Sequence, residues 1–446
     1  MSHYNKTLCF YFQVHQPYRL SHCNAFEIGH KGEYFEGPQQ FTNRAVFEKV
    51  AQKCYLPTNA LMLELLNKHP EFRISYSFSG VFLEQCLEFG DIGKQVLASF
   101  KALVKTGRVE VLSETYYHSL SYLYSKKEFA DQIHQHKELI WKLFRKKPTV
   151  FRNTELIYSN EIGEFIREMG FKGMIAEGWD HYLQWRSPNF LHHAHKVDLH
   201  PADRAVAKAH SIRMFPHKNL ALLLKNYKLS DDIAFRFSNQ GWSEWPLGTD
   251  KYASWVDAAE GDTINLFMDY ETFGEHQWED TGIFEFMRHL PAALLNRNIG
   301  FKTPSETIKA YQSKGDVSVP YLMSWADMER DLSAWRSNQM QESALRRIFD
   351  LEHHLRSHLH QLEMSEQEQL MNTWRRLQTS DHFYYMCTKY WSDGDVHAYF
   401  SPYESPYDAF IAYMNTLNDF EQKVERMFEL DQSVDLKVEK KELSFV

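Results

Sequence analysis

The chain has 446 residues, 43% of them hydrophobic and 24% charged, a balance that excludes a disordered polymer and supports a sizeable core. Its formal charge is −9, which argues against a nucleic-acid partner, because the phosphate backbone demands clustered positive charge. Aromatic residues reach 15% while glycine and proline number only 19 and 14, so linker-rich and collagen-like designs are also excluded.

The N-terminus lacks the basic-then-apolar pattern of a signal peptide, and no stretch approaches 18 apolar residues; the expectation is a cytoplasmic protein without a membrane segment. The five cysteines, Cys9, Cys23, Cys54, Cys86 and Cys387, are scattered and form no C-x-x-C pair. Neither a zinc ribbon nor a disulfide framework is expected.

In chain order, short β-branched or aromatic runs predict strands at Leu8–Val14, Arg73–Phe78, Val109–Ser113, Thr149–Asn153, Gly173–Ala176, Leu220–Asn226 and Thr263–Met268. Helical spacing of apolar residues marks Phe47–Lys68, Val81–Lys105, Lys126–Lys146 and Asn160–Met169 between them. Alternation of strand and helix predicts a mainly parallel sheet, doubly wound or closed as a barrel. From about residue 280 the pattern turns helical, at Thr281–Asn296, Pro304–Ser313, Ser337–Thr379 and Asp408–Leu430. The tail Val434–Val446 reads as a final strand or a frayed end. The expected division is a β/α domain over 1–300 and a mainly helical domain over 301–446.

Active sites of parallel β/α folds gather at the C-terminal ends of the strands. There the sequence places His15-Gln16-Pro17, Glu114, Thr154-Glu155, Glu177-Gly178-Trp179-Asp180 and Asp269-Tyr270-Glu271. Several carboxyls beside Trp, Tyr and His suggest glycoside hydrolysis, where one carboxyl is nucleophile or base and another acid. Metal-assisted hydrolysis is the competing chemistry, but no tight Asp-Asp or His-x-His cluster stands at a strand end. The segment His192-His193-Ala194-His195 reads as a solvent-exposed loop, and His354 with His358 as a solvated helix face. The aromatic set Tyr384, Tyr385, Tyr390, Trp391, Tyr399, Phe400 and Tyr403 reads as helical-domain core.

Five blocks occur in order: His15-Gln16-Pro17; Gly107-Arg108-Val109-Glu110; Phe151-Arg152-Asn153-Thr154-Glu155; Met268 through His276; and Met323-Ser324-Trp325-Ala326-Asp327. Together they resemble glycoside hydrolase family 57, in particular its α-amylase-like members. The resemblance implies an α/β fold, an incomplete (β/α)7 barrel followed by a C-terminal helical domain that contributes to the cleft. It implies a retaining α-1,4-glucan hydrolase acting on starch, glycogen or maltooligosaccharides, with no cofactor and no metal. It puts the nucleophile on Glu155 and the general acid/base on Asp269, the two roughly 5–5.5 Å apart for retention. His15, Glu110, Trp325, Asp327, His276 and Trp179 are the expected substrate-binding residues. His276 stands where transferase members resemble one another in carrying Trp, which favours the amylase-like subgroup. The alternatives are a 4-α-glucanotransferase on the same scaffold, a catalytically inactive glucan-binding homologue, and a metal-dependent deacetylase or mannosidase-like enzyme.

Overall fold

A computed structural model describes residues 4–38, 41–389 and 401–442, with side chains up to residue 428. Its strands are β1 (Lys6–Val14), β2 (Ile74–Phe78), β3 (Val109–Val111), β4 (Val150–Arg152), β5 (Gly173–Ala176), β6 (His192–Ala194), β7 (Ala221–Leu224), β8 (Thr263–Asp269), β9 (Ile299–Phe301) and β10 (Asp316–Val317). Each of the seven sequence-predicted strands is present. β8, β1, β2 and β3 pair in parallel, and so do β4, β5 and β7. A parallel bridge between Ser113 and Phe151 joins the two groups, with Ser113 N donating to the Val150 carbonyl at 3.1 Å and Arg152 N to that of Ser113 at 2.8 Å.

The result is seven parallel strands in the order β8-β1-β2-β3-β4-β5-β7. The last seam carries no ladder. Asn226 N donates to the Asn265 carbonyl, and the Asn265 side chain donates to that of Leu224, both at 2.8 Å. Beside it β6 runs antiparallel to β7, taking the edge that a closed barrel would give to β8. The fold is therefore an incomplete (β/α)7 barrel.

β1 is buried along all nine residues, the near-continuous apolar run expected of a parallel strand covered on both faces. Its alternation feeds two cores. Cys9 and Tyr11 meet Leu112, Val150, Ile175, Leu223 and Phe267 inside the strand ring. Phe10 and Phe12 meet Phe72, Tyr76, Phe78, Phe82 and Phe100 under the surrounding helices. Phe100, on the helix Gly90–Lys105, packs its ring 4.9–6.1 Å from those of Tyr55, Tyr76, Phe78, Phe82 and Tyr270. Most of the aromatic surplus described so far is thus core.

The chain forms two compact units. One comprises residues 1–16, 46–118 and 126–331; the other comprises 17–45, 119–125 and 332–446. The sequence boundary at 300 falls inside the first unit, whose last segment inserts β10 beside β6 and pairs Met323 with Tyr158. In the second unit, helices Gln339–His358, Met364–Arg376 and Pro406–Glu442 dominate. Trp374 is fully buried there and donates to the Ile348 carbonyl at 2.7 Å. Tyr34 and Gly29, from the early segment, hold Asp419 at 2.5 Å each.

Two readings need correction. His192–Ala194 is strand β6, not an exposed loop, and His192 is 1% exposed with its ring bonded to the Ser187 carbonyl at 2.9 Å. Three residues are too few to show a two-residue period, so imidazoles disguise the strand. The tail continues as helix to Glu442, an extension of the helix begun at Pro406, because propagation is easy once the helix is nucleated. Of the proposed aromatic core set, Tyr385 is buried and packs on Tyr403; Tyr390, Trp391, Tyr399 and Phe400 lie outside the described residues. The five cysteines are free and buried, and no described helix is long and apolar enough to cross a membrane.

Candidate active site

Where β4 ends, the chain makes a 3-10 turn over Thr154–Leu156, with Glu155 at φ +56°, ψ +27° and Leu156 at φ +50°. A non-glycine residue pays for the left-handed region and holds it only when its surroundings over-determine the turn. Here they do. Leu156 N and Ile157 N donate to the Asn153 and Thr154 carbonyls. The Asn153 amide donates to the Ile157 carbonyl at 2.9 Å. From across the turn, Trp325 N donates to the Glu155 carbonyl at 3.2 Å, and Tyr158 and Met323 exchange two backbone bonds of 2.9 Å.

The turn presents the Glu155 carboxylate to two donors. His118 Nε2 lies 3.0 Å from Oε1, and Trp325 Nε1 donates to Oε2 at 2.7 Å. Burial opposes its ionisation, but the His118 hydrogen bond and charge, the Arg152 guanidinium and the Trp325 indole outweigh it. The carboxyl is held below its ordinary range. Glu155 keeps 22% of its side chain exposed, whereas Glu114 and His118 behind it show 0% and 2%. Of these groups only Glu155 is open to a ligand.

Asp269 ends β8, opposite Gln13 of β1. Burial, then the negative charge of Glu155, push its carboxyl up to about 6, against the pull of Arg152, Lys225 and His118. Two residues on, burial and the Asp269 charge push Glu271 up to about 8. Tyr55 donates to Glu271 at 2.5 Å from a π-helical turn, Ala51–Tyr55. At neutral pH one carboxyl is firmly ionised, one titrates near the working range and one is a neutral acid.

Lys225, just beyond β7, is 5% exposed and lies 3.0 Å from Asp231 and 3.7 Å from Glu177. Its ammonium and the Arg152 guanidinium both lie 5.3 Å from the centre of the Trp325 ring, which fixes the indole that binds Glu155. Gly178 makes this packing possible. A Cβ there would meet the Lys225 carbonyl at 2.1 Å.

The other sequence-predicted residues fall as follows. His15 Nδ1 lies 2.7 Å from Ser79 Oγ, and its ring stacks on His118 at 3.9 Å. Trp325 stands at Glu155, but belongs to the barrel unit, not the helical one. Asp327 follows it in a turn, at φ +53°, its carbonyl accepting from Arg330 at 3.5 Å. His276, whose backbone N donates to the Glu271 carbonyl at 2.9 Å, is pushed down by burial to about 4, so its ring is neutral. Trp179 packs on His181 and Tyr182 beyond β5, with ring centres 4.9 and 5.2 Å away.

Glu110 is not brought to this cluster. Its carboxylate accepts from Ser305 N at 2.8 Å and Ser305 Oγ at 2.5 Å, at the start of the helix Pro304–Ala310. Glu110 lies within β3, whereas Glu114 lies beyond its end, and an extended chain of that length spans roughly 13 Å. Glu114 is the one at the site, with His118 Nδ1 at 3.4 Å and Arg152 Nη1 at 3.6 Å. Arg152 acts on Glu155 by charge, and Asn153 supports the turn. Sequence reasoning missed His118 and Lys225. The four-residue spacing from Glu114 to His118 was the available signal for the first, and the cation just past β7 for the second.

The sequence model of the family described as Glycosyl hydrolase family 57 matches residues 9–320. A Methanocaldococcus jannaschii protein named "Putative alpha-amylase" is 40% identical over 427 residues, 94% of this chain and 85% of that protein. Among solved structures, a family-57-type branching enzyme from Pyrococcus horikoshii aligns with a TM-score of 0.66 at 16% identity, covering 96% of this chain and 92% of that one. The 4-alpha-glucanotransferase of Thermococcus litoralis aligns with a TM-score of 0.57 at 17% identity, over 85% of this chain. The chain spans 56% of that transferase's length.

Proposed function

The chain belongs to glycosyl hydrolase family 57, and from that premise we propose that it is a retaining α-1,4-glucan hydrolase whose nucleophile is Glu155 and whose acid/base is Asp269. The observation that carries the reading is the opposite tuning of these two carboxyls. Glu155 is held ionised by His118 and Trp325, while Asp269 is raised to about 6. Such a split is what separates nucleophile from acid in a carboxyl pair.

In the first step Glu155 attacks the anomeric carbon as the glycosidic bond breaks, and Asp269 gives its proton to the departing oxygen. The product is a covalent glycosyl ester of Glu155. Asp269, now ionised, takes a proton from water, whose oxygen displaces Glu155 from the sugar. Two inversions return the α-anomer and restore both carboxyls. The two carboxyls supply the acid, base and nucleophile, so the scheme needs no metal. The name of the 40% identical relative favours the amylase reading over transfer to an acceptor sugar.

Maltoheptaose decides. Shorter reducing sugars alone support hydrolysis, whereas products longer than the substrate would make the chain a 4-α-glucanotransferase using the same intermediate. The Glu155→Gln variant is the control, and it should form neither.

A further inference from the structure

We propose that His118 is the positioning residue of the nucleophile: its imidazolium grips the Glu155 carboxylate with one nitrogen and is gripped through the other by the buried Glu114, so that the three side chains work as one unit. The proposal rests on the reading of Glu155 as nucleophile and adds to it the group that prepares the attack.

Both ring nitrogens of His118 face carboxylate oxygens, Nε2 with Glu155 Oε1 at 3.0 Å and Nδ1 with Glu114 Oε2 at 3.4 Å. A neutral imidazole donates from one nitrogen only, so two carboxylates are both served only by the cation. The ring has little freedom to turn away. It stacks on His15 with planes 18° apart. Its backbone is left-handed, at φ +50°, in a turn closed by His118 N on the Thr115 carbonyl at 3.2 Å. Both residues of the 3.0 Å contact therefore sit in the same strained region.

The charged or titratable groups of the barrel unit near the ring include Glu114, Glu155, Arg152, His15 and Asp269. Burial opposes the cation, and so does Arg152, whose Nη1 lies 3.5 Å from Nδ1, but the two carboxylates outweigh both and hold the imidazole cationic up to about 9. Behind them, Gln13 Nε2 donates to both Glu114 oxygens at 3.3 Å. His136 is pinned by its bond to the Phe78 carbonyl at 2.8 Å and accepts from Glu114 N at 3.4 Å. When Glu155 becomes an ester, His118 keeps Glu114 as counter-ion, and no proton need move. When the ester breaks, the departing carboxylate returns to a donor already in place, which favours the second step.

The test uses the full-length His118→Asn and Glu114→Gln variants, with an aryl α-maltoside as substrate across pH. Both variants should keep a folded circular-dichroism spectrum. The expected result is a kcat lower by on the order of 100-fold in His118→Asn, with its acid limb of kcat/KM displaced upward by about one pH unit, and in Glu114→Gln a His118 imidazole that titrates lower by nitrogen-15 NMR, since one of the carboxylates that raise it is gone. The double variant should lose little more than His118→Asn alone, because the pair acts as one device. An unmoved acid limb in His118→Asn, an unmoved His118 titration in Glu114→Gln, or losses that multiply would overturn the proposal. If His118→Asn does not fold, the His118 titration in Glu114→Gln decides alone. In the wild type, a 5-fluoro-glucosyl fluoride should label Glu155. A label elsewhere overturns the nucleophile assignment, and this proposal with it; a label on Glu155 with an unmoved limb overturns only this one.

Discussion

Glu155 and Asp269 differ less in burial than in company. The first has a cation and an indole N–H aimed at it, while the second faces the charge of the first. The form competent for attack has Glu155 ionised and Asp269 protonated. Activity therefore rises with pH through the lowered Glu155 carboxyl and falls as Asp269 ionises near 6. We expect kcat/KM on maltooligosaccharides to decline above about pH 6; an alkaline limb near 8 or above would remove Asp269 as the acid. Glu155→Gln deletes the charge that helps raise Asp269, so the Asp269 carboxyl should titrate lower in that variant. Carbon-13 NMR of labelled aspartate measures this directly. Trp325→Phe keeps an aromatic ring between Arg152 and Lys225 but removes the N–H at 2.7 Å from Glu155. A kcat loss of about 10- to 100-fold, with the acid limb moved upward, is the expected result.

The strands that hold these residues are easy to read because a parallel strand buried on both faces must be apolar nearly throughout, as β1 is. Pattern reading fails where an element is short or where depth, rather than face, matters. β6 has three residues and two of them are imidazoles. Glu110 lies in β3 and Glu114 past its end, and that difference, which spacing alone does not show, separates a helix anchor from a site residue. His118 lies in a loop with no period, so its place follows from the tertiary meeting of two turns. The elements also differ in what they tolerate. Phe100 is 1% exposed, with five aromatic neighbours under the helices, and Phe100→Ala should cost about 3–5 kcal/mol, seen as a lower urea midpoint. The pH profile of the remaining folded enzyme should stay in place, since no site hydrogen bond is touched. A variant with native stability would contradict the packing described.

The chain as a whole is stitched by segments that sequence order separates. Residues 302–331 complete the barrel unit, while 17–45 and 119–125 join the later helices. A boundary drawn from composition could not foresee this, because the contacts that assign Trp325 to Glu155 span 170 positions. The net charge of −9 belongs to the same scale, and its consequence depends on the substrate. A long-range field steers charged ligands and leaves a neutral one unaffected. The charges at the site are mostly buried beside their counter-ions, where salt screens little. A neutral glucan should therefore show a KM that changes less than about twofold between roughly 50 mM and 1 M sodium chloride, a range over which the Debye length falls below about 3–4 Å. A glucan KM that moved steeply with salt in either direction would contradict the account of a neutral substrate meeting buried, paired charges.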